Sequence, residues 1–269
     1  MKSISSLLLA AAIGVLLTIV LLRAQDDVAP STARGYLSTA EMPDVTRIAP
    51  PAPAPGDVRD QLDLATFRKT RALEGTPRWA MALSDNDVST AGLMRAFSCS
   101  AGVVLSRDAT PAVASFLARV GRDTSTAFNR LKNFYAGRKR PFLVESGPVC
   151  LPATGAARLA NNPDYPSGHT ALAYSAGLVL AELIPVHATE ILLRAQAFGE
   201  SRAICGVHNL SAVEAGRLVS QSVVAALHAN EFFRADLAAA HDELMNTQAT
   251  SPAAETCALE AETVKLRPY

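Results

Sequence analysis

The 269-residue sequence carries no net charge: 25 Lys and Arg are matched by 25 Asp and Glu. A polynucleotide-binding surface shows as a basic surplus, so nucleic acid is not an expected partner. Aromatic residues make up only 6% of the chain, with a single Trp, while Ala, Leu and Val dominate. That balance favours helix over sheet. No segment alternates convincingly between apolar and polar residues, and no internal repeat is visible. A sheet protein and a solenoid are both disfavoured. The four cysteines form no C-x-x-C pair, which argues against a zinc site, and no metal or cofactor is expected. Long apolar runs are missing but for one, Leu7 to Leu22, between Lys2 and Arg23. Its sixteen residues are long for a signal-peptide core and short for a membrane span. Residues 1–24 read as a cleaved signal peptide or a retained anchor. Either sends the rest across a membrane, and membrane contact is expected only through this segment.

The remainder suits one sizeable domain, with 49% hydrophobic residues. Residues 25–57 read as a linker. "RIAPPAPAPGD" is proline-rich, extended and not expected to pack a core. Residues 58–247 carry helical periodicity. Pro111 opens a long pattern through Val113, Phe116, Leu117, Val120, Phe128 and Leu131. "TALAYSAGLVLAELIP" reads as a buried helix ended by Pro185. "ATEILLRAQAFGESR", "SAVEAGRLVSQSVVAALHAN" and "EFFRADLAAAHDEL" follow as further helices. The expectation is an all-α, compact helical bundle, with residues 248–269 as a loose tail. Four cysteines fit an oxidising compartment. Cys99 and Cys150 bracket one helical region and are the first choice for a disulfide; Cys205–Cys257 follows by elimination.

Three stretches could carry chemistry. In "NNPDYPSGHTAL", Pro166 and Gly168 break the chain just before a strong helix. Ser167, the Gly168 amide and His169 then lie at a helix N-terminus, where free N–H groups favour anions. An N-cap serine beside a structural histidine is the plainer reading of the same residues. In "SRAICGVHNLSA", Arg202 ends one helix and His208 precedes the next. A guanidinium matches phosphate oxygens, and a neutral imidazole can attack phosphorus or carry a proton. In "LKNFYAGRKRPF", Lys132, Arg138, Lys139 and Arg140 form a basic cluster that alone would read as solvated surface. Together the three suggest a phosphate-transfer site, with cations placed for the charge on a phosphoryl group in flight.

The order Lys…ArgPro, ProSerGlyHis, SerArg-x5-His resembles the signature of the type 2 phosphatidic acid phosphatase and vanadium haloperoxidase superfamily. Within it the chain is most similar to the bacterial class A acid phosphatases. "EGTPRW", "AFSCSAGV", "YPSGHTAL", "SRAICGVH" and "EAGR" add to the likeness, which spans roughly residues 60–245. The resemblance implies that Lys132, Arg140 and Arg202 hold phosphate oxygens, with Ser167 and the Gly168 amide completing the cradle. It implies His208 as the nucleophile forming a phosphohistidine and His169 as the general acid. It implies small phosphomonoester substrates and a periplasmic protein, soluble or tethered by its N-terminal segment. Monomer and homo-oligomer both stay open.

Two positions depart from the pattern. Seven residues instead of six separate Lys132 from Arg140, so Lys139 or Arg138 are candidate substitutes. The aspartate four residues after the nucleophilic histidine is here Ala212. That carboxylate would orient the imidazole, and Glu214 sits two positions too far along. Ser211 or a backbone carbonyl is the expected weaker substitute. The loss raises a catalytically inactive phosphate-binding homologue as an alternative to a phosphatase of reduced activity; a vanadium-dependent haloperoxidase is a further alternative, because the resemblance implies a pocket that can hold vanadate.

Overall fold

The computed structural model describes residues 34–246, 250–266 and 269. The expected signal or anchor at 1–24 lies outside the described residues. Among the described residues there is no strand, and no helix is long and apolar enough to cross a membrane. The helices run α1 Val45–Ile48, α2 Val58–Thr70, α3 Pro77–Ser84, α4 Thr90–Ala101, α5 Pro111–Phe134 and α6 Ala153–Ala160. They continue as α7 Gly168–Leu183, α8 Ala188–Ile204, α9 Leu210–Leu227, α10 Glu231–Asn246 and α11 Ala254–Val264.

Local chemistry sets most of these boundaries. Pro77 and Pro111 open α3 and α5, where the missing N–H costs no hydrogen bond. Asp57, Thr76, Ser89 and Ser167 cap α2, α3, α4 and α7 by accepting amide protons with their side chains. α7 is the centre. It is largely apolar, with Ala171, Ala173, Ala176, Val179, Leu180 and Leu183 all buried, as befits a helix packed against several others. It packs chiefly on α8 and α9, and then on α5. Small residues let these helices close up. A Cβ on Gly177 would lie 2.5 Å from the Ala195 Cβ of α8, and one on Gly216 of α9 would lie 2.6 Å from the Ser167 carbonyl oxygen. The second contact seats α9 directly on the N-terminus of α7.

Three expectations are corrected. The segment assigned as a linker at 25–57 is packed from Tyr36 onward. The Tyr36 ring meets Phe116 and Phe233, its N–H donates to Asp123 at 2.7 Å and its hydroxyl to Asp236 at 2.8 Å. Val45, Ala49 and Pro53 are buried, and the Pro50 carbonyl accepts from the Tyr165 hydroxyl at 2.6 Å. A proline-rich strip cannot make a core of its own, but it can lie on a core made by helices. The expected loose tail contains α11, joined to α4 by the disulfide Cys99–Cys257. Cys150 pairs with Cys205, so neither disulfide expected from the sequence forms. Bracketing a helical region in sequence brings no ends together. Cys150 instead lies beside Cys205, and its N–H donates to the Cys205 carbonyl at 3.0 Å.

The bridges span 158 and 55 residues. By loop closure they stabilise by up to about 5 and about 4 kcal/mol. Alanine at both cysteines of either pair should lower the unfolding free energy by several kcal/mol in a urea titration. An unchanged midpoint would show that the bridge contributes nothing to stability.

Candidate active site

The site is assembled at the end of α8. After Ile204 the chain reverses through Gly206, whose φ of +78° is left-handed and suits glycine. The Val207 and His208 N–H groups then both donate to the Arg202 carbonyl at 3.2 Å. This turn folds His208 back onto the helical turn that carries Arg202. The Cys150–Cys205 bridge pins it from the other side.

Lys132 lies in the last turn of α5, and Arg140 follows the loop after Phe134. Their side chains converge. Arg140 donates to the Asn162 carbonyl at 2.8 Å and the Asn162 side-chain oxygen at 2.9 Å, and Lys132 donates to the same side-chain oxygen at 3.1 Å. The extra residue between them is taken up in the loop. The substitutes considered for Lys132 lie elsewhere. Arg138 is held by Asp60 and Asp63 at 2.8 and 3.0 Å, and Lys139 is exposed.

Arg140 also reaches His208: one guanidinium nitrogen lies 3.0 Å from Nε2 and 2.6 Å from the Val207 carbonyl. A guanidinium can only donate, so Nε2 holds a lone pair and the ring proton sits on Nδ1. Nδ1 lies 2.9 Å from Oδ1 of Asp164. The same carboxylate accepts the Asn209 backbone N–H at 3.1 Å and its side-chain amide at 2.9 Å. His208 is 3% exposed and Asp164 fully buried. The expected substitutes for an aspartate at 212 do not take the role. Ser211 donates its hydroxyl to Asp63 at 2.6 Å, Glu214 is exposed beside Arg217, and the buried Ala212 offers its carbonyl to the Ser167 N–H at 2.9 Å.

The N-terminus of α7 forms another wall. Ser167 accepts from the Thr170 N–H at 3.3 Å and the Thr170 hydroxyl at 2.9 Å, so its own hydroxyl proton is free to donate. Gly168 lies against Phe128, where a Cβ would come within 2.9 Å of the ring. The half-buried His169 faces the loop between α3 and α4, its Nε2 3.2 Å from the Asn86 carbonyl. That loop is fixed by the buried ion pair of Asp85 with Arg194. Arg202 donates to the Asn86 side chain at 3.1 Å, and its Nε, buried, has no protein acceptor. Such a donor can be satisfied by an oxyanion.

Residues 112–235 match the PAP2 superfamily. The chain is also 39% identical over 215 residues to an acid phosphatase of Zymomonas mobilis, covering 79% of this chain and 80% of the relative. This chain belongs to the PAP2 superfamily. A non-specific acid phosphatase of Providencia stuartii is 34% identical, covering 77% of this chain and 84% of its own. One from Salmonella typhimurium is 36% identical, covering 72% and 78%. The PAP2 match runs from the start of α5 into α10, the stretch that contains Lys132, Arg140, His169, Arg202 and His208.

Burial and the neighbouring cations depress the two histidines and Lys132. Burial, reinforced by Arg140, Lys132 and Arg202, holds His208 well below the ordinary histidine range. Burial and then Arg202 and His208 do the same to His169. Burial, with Arg140, pushes Lys132 down to about 7. Each group binds fewer protons folded than unfolded. The empty protein therefore loses stability as pH falls from the unfolded lysine value to about 7 through Lys132, and again below about 6.5 through the histidines. A bound dianion raises all three pKa values and reverses the loss. Millimolar sulfate, a dianion throughout this range, should raise Tm more at pH 5.5 than at pH 8, with proton uptake in calorimetry. Equal stabilisation at both pH values would refute the coupling.

Asp164, Asn162 and Asn86 were not legible as site residues. The only signal for Asp164 was an acid immediately before "YPSGH". A cavity of about 490 Å³ lies away from these groups, lined partly by Cys99, Arg194, Cys257 and Glu260.

Proposed function

We propose that this chain is an acid phosphatase hydrolysing phosphate monoesters through a phosphohistidine on His208. The observation that carries the reading is the His208 tautomer: Nδ1–H faces a carboxylate and the Nε2 lone pair faces the guanidinium of Arg140. An incoming phosphate takes over the Arg140 donor and exposes that lone pair to phosphorus. Nε2 then attacks, the P–O bond to the alcohol breaks, and the leaving oxygen takes a proton from His169. Water next attacks the phosphohistidine, the P–N bond breaks, and His169 recovers a proton from the water. Arg140, Arg202 and Lys132 hold the equatorial oxygens, with the Ser167 hydroxyl and Gly168 amide completing the cradle.

Catalysis at low pH follows from the same groups. His169 must be protonated to act as an acid, and its depressed pKa demands acid solution until the substrate dianion raises it. The names of the relatives favour hydrolysis over halide oxidation. The inactive-binder reading loses its motive, since His208 has a carboxylate partner although residue 212 is alanine. Two disulfides and the N-terminal apolar run support an exported, periplasmic protein. The test is p-nitrophenyl phosphate hydrolysis between pH 4 and 8. Turnover should peak in acid and be inhibited competitively by vanadate. Oxyanion binding without turnover at any pH would leave a binding protein instead.

A further inference from the structure

We propose that Asp164 is the positioning residue for His208, relocated from the position on α9 now held by Ala212 to the loop before α7. The proposal rests on His208 being the nucleophile. A nucleophilic imidazole needs its proton on the far nitrogen and its plane held toward phosphorus. In this chain both are set by one carboxylate, reached across 44 residues of sequence.

Asp164 is itself fixed. Its backbone N–H donates to the Arg138 carbonyl at 3.0 Å. Its Oδ1 accepts from the ring and from the Asn209 N–H, and its Oδ2 accepts from the Asn209 amide. Asn209 opens α9 but leaves its own helix uncapped by its side chain. It directs that side chain to Asp164 and to the Lys139 carbonyl at 3.3 Å. The residue after His208 thus holds the carboxylate that holds His208. All three partners donate, a pattern that only the ionised carboxylate satisfies completely. Burial raises its pKa on balance, opposed by the Asn209 donors, Arg140 and Lys132, which favour the ionised form. When His208 gains a bond to phosphorus the ring becomes cationic, and the buried carboxylate 2.9 Å away stabilises that charge.

The alternative is that Asp164 only packs the loop. Substitution by asparagine separates the two. The amide keeps the volume of the carboxylate and can leave its oxygen facing the ring and the Asn209 N–H, but it turns a donor toward the Asn209 amide and carries no charge to offset the cationic ring. In a serine-protease triad the same exchange lowers turnover by about 10⁴. In the full chain, Asp164→Asn should lower kcat for p-nitrophenyl phosphate by about 10³ to 10⁴. KM and stabilisation by sulfate should stay within a few-fold of the parent. Asp164→Ala should be equally slow, and Asp164→Ala combined with Ala212→Asp should recover much of the loss. Asp164→Asn within threefold of the parent kcat would overturn the proposal, as would a slow variant that Ala212→Asp leaves unimproved. If Asp164→Asn does not fold, ¹⁵N NMR of the parent decides: the His208 proton should reside on Nδ1, and an Nε2–H tautomer would overturn the proposal. An equally active His208→Ala would instead sink the phosphohistidine reading itself.

Discussion

His208→Ala abolishes turnover of p-nitrophenyl phosphate, with kcat falling by about 10⁵ or more, the scale of removing a nucleophile that acts as part of a unit. The size follows from the division of labour in the site. Arg140, Arg202, Lys132 and the α7 N-terminus can still gather an oxyanion when the ring is gone, so binding survives and bond-making does not. Sulfate should therefore still raise Tm in the variant. Removing the ring also strips Asp164 of a donor, and a buried polar group left short of a partner costs about 1–3 kcal/mol. His208→Gln, whose amide can still donate to Asp164, is the companion variant. It should be more stable than the alanine variant and equally inactive. Turnover within tenfold of the parent in both would eliminate a covalent role for His208.

Arg202→Ala lowers kcat/KM by about 10⁴, within the range found for an arginine that stabilises a phosphoryl group in transfer. The guanidinium is completely buried, its terminal nitrogens lean on Asn86 and the Asp85 carbonyl, and its Nε has no protein acceptor. A cation held in place without a carboxylate of its own attracts an oxyanion more strongly than a neutralised one. Arg202→Lys restores charge without the planar fork and should recover no more than about tenfold. Both variants should lose most of the sulfate-induced rise in Tm, which His208→Ala keeps. If Arg202→Ala stays within tenfold of the parent, the guanidinium does not touch the group being transferred.

The helices were legible because their signals are local. Pro111 at a first helical position, Ser167 as an N-cap and the largely apolar sequence of α7 each act within a few residues. The candidate groups were legible because cationic and imidazole side chains stand out in an Ala-rich chain. In the fold Lys132 and Arg140 meet at Asn162, Arg140 meets His208, and His169 and Arg202 meet at Asn86. Beyond its place just before "YPSGH", nothing local distinguished Asp164 from a surface aspartate. Its meaning comes from a contact with a residue 44 positions away. Helical spacing points to carboxylates along α9, whereas the one that faces His208 lies across the fold. The same limit explains the disulfides: four cysteines at long spacings carry no record of which pairs approach. The proline-rich segment showed that it could not form a core. Whether it lay on one depended on a surface that other helices build.

The sequence by itself determined the helical class, the helix caps and the inventory of cations and imidazoles, because those follow from residue type and short-range spacing. Only the tertiary structure decided the cysteine pairing, the docking of residues 36–53 and which carboxylate faces His208. Those depend on where helices cross, and the crossings are set by close contacts such as Gly216 against Ser167, which no single segment encodes.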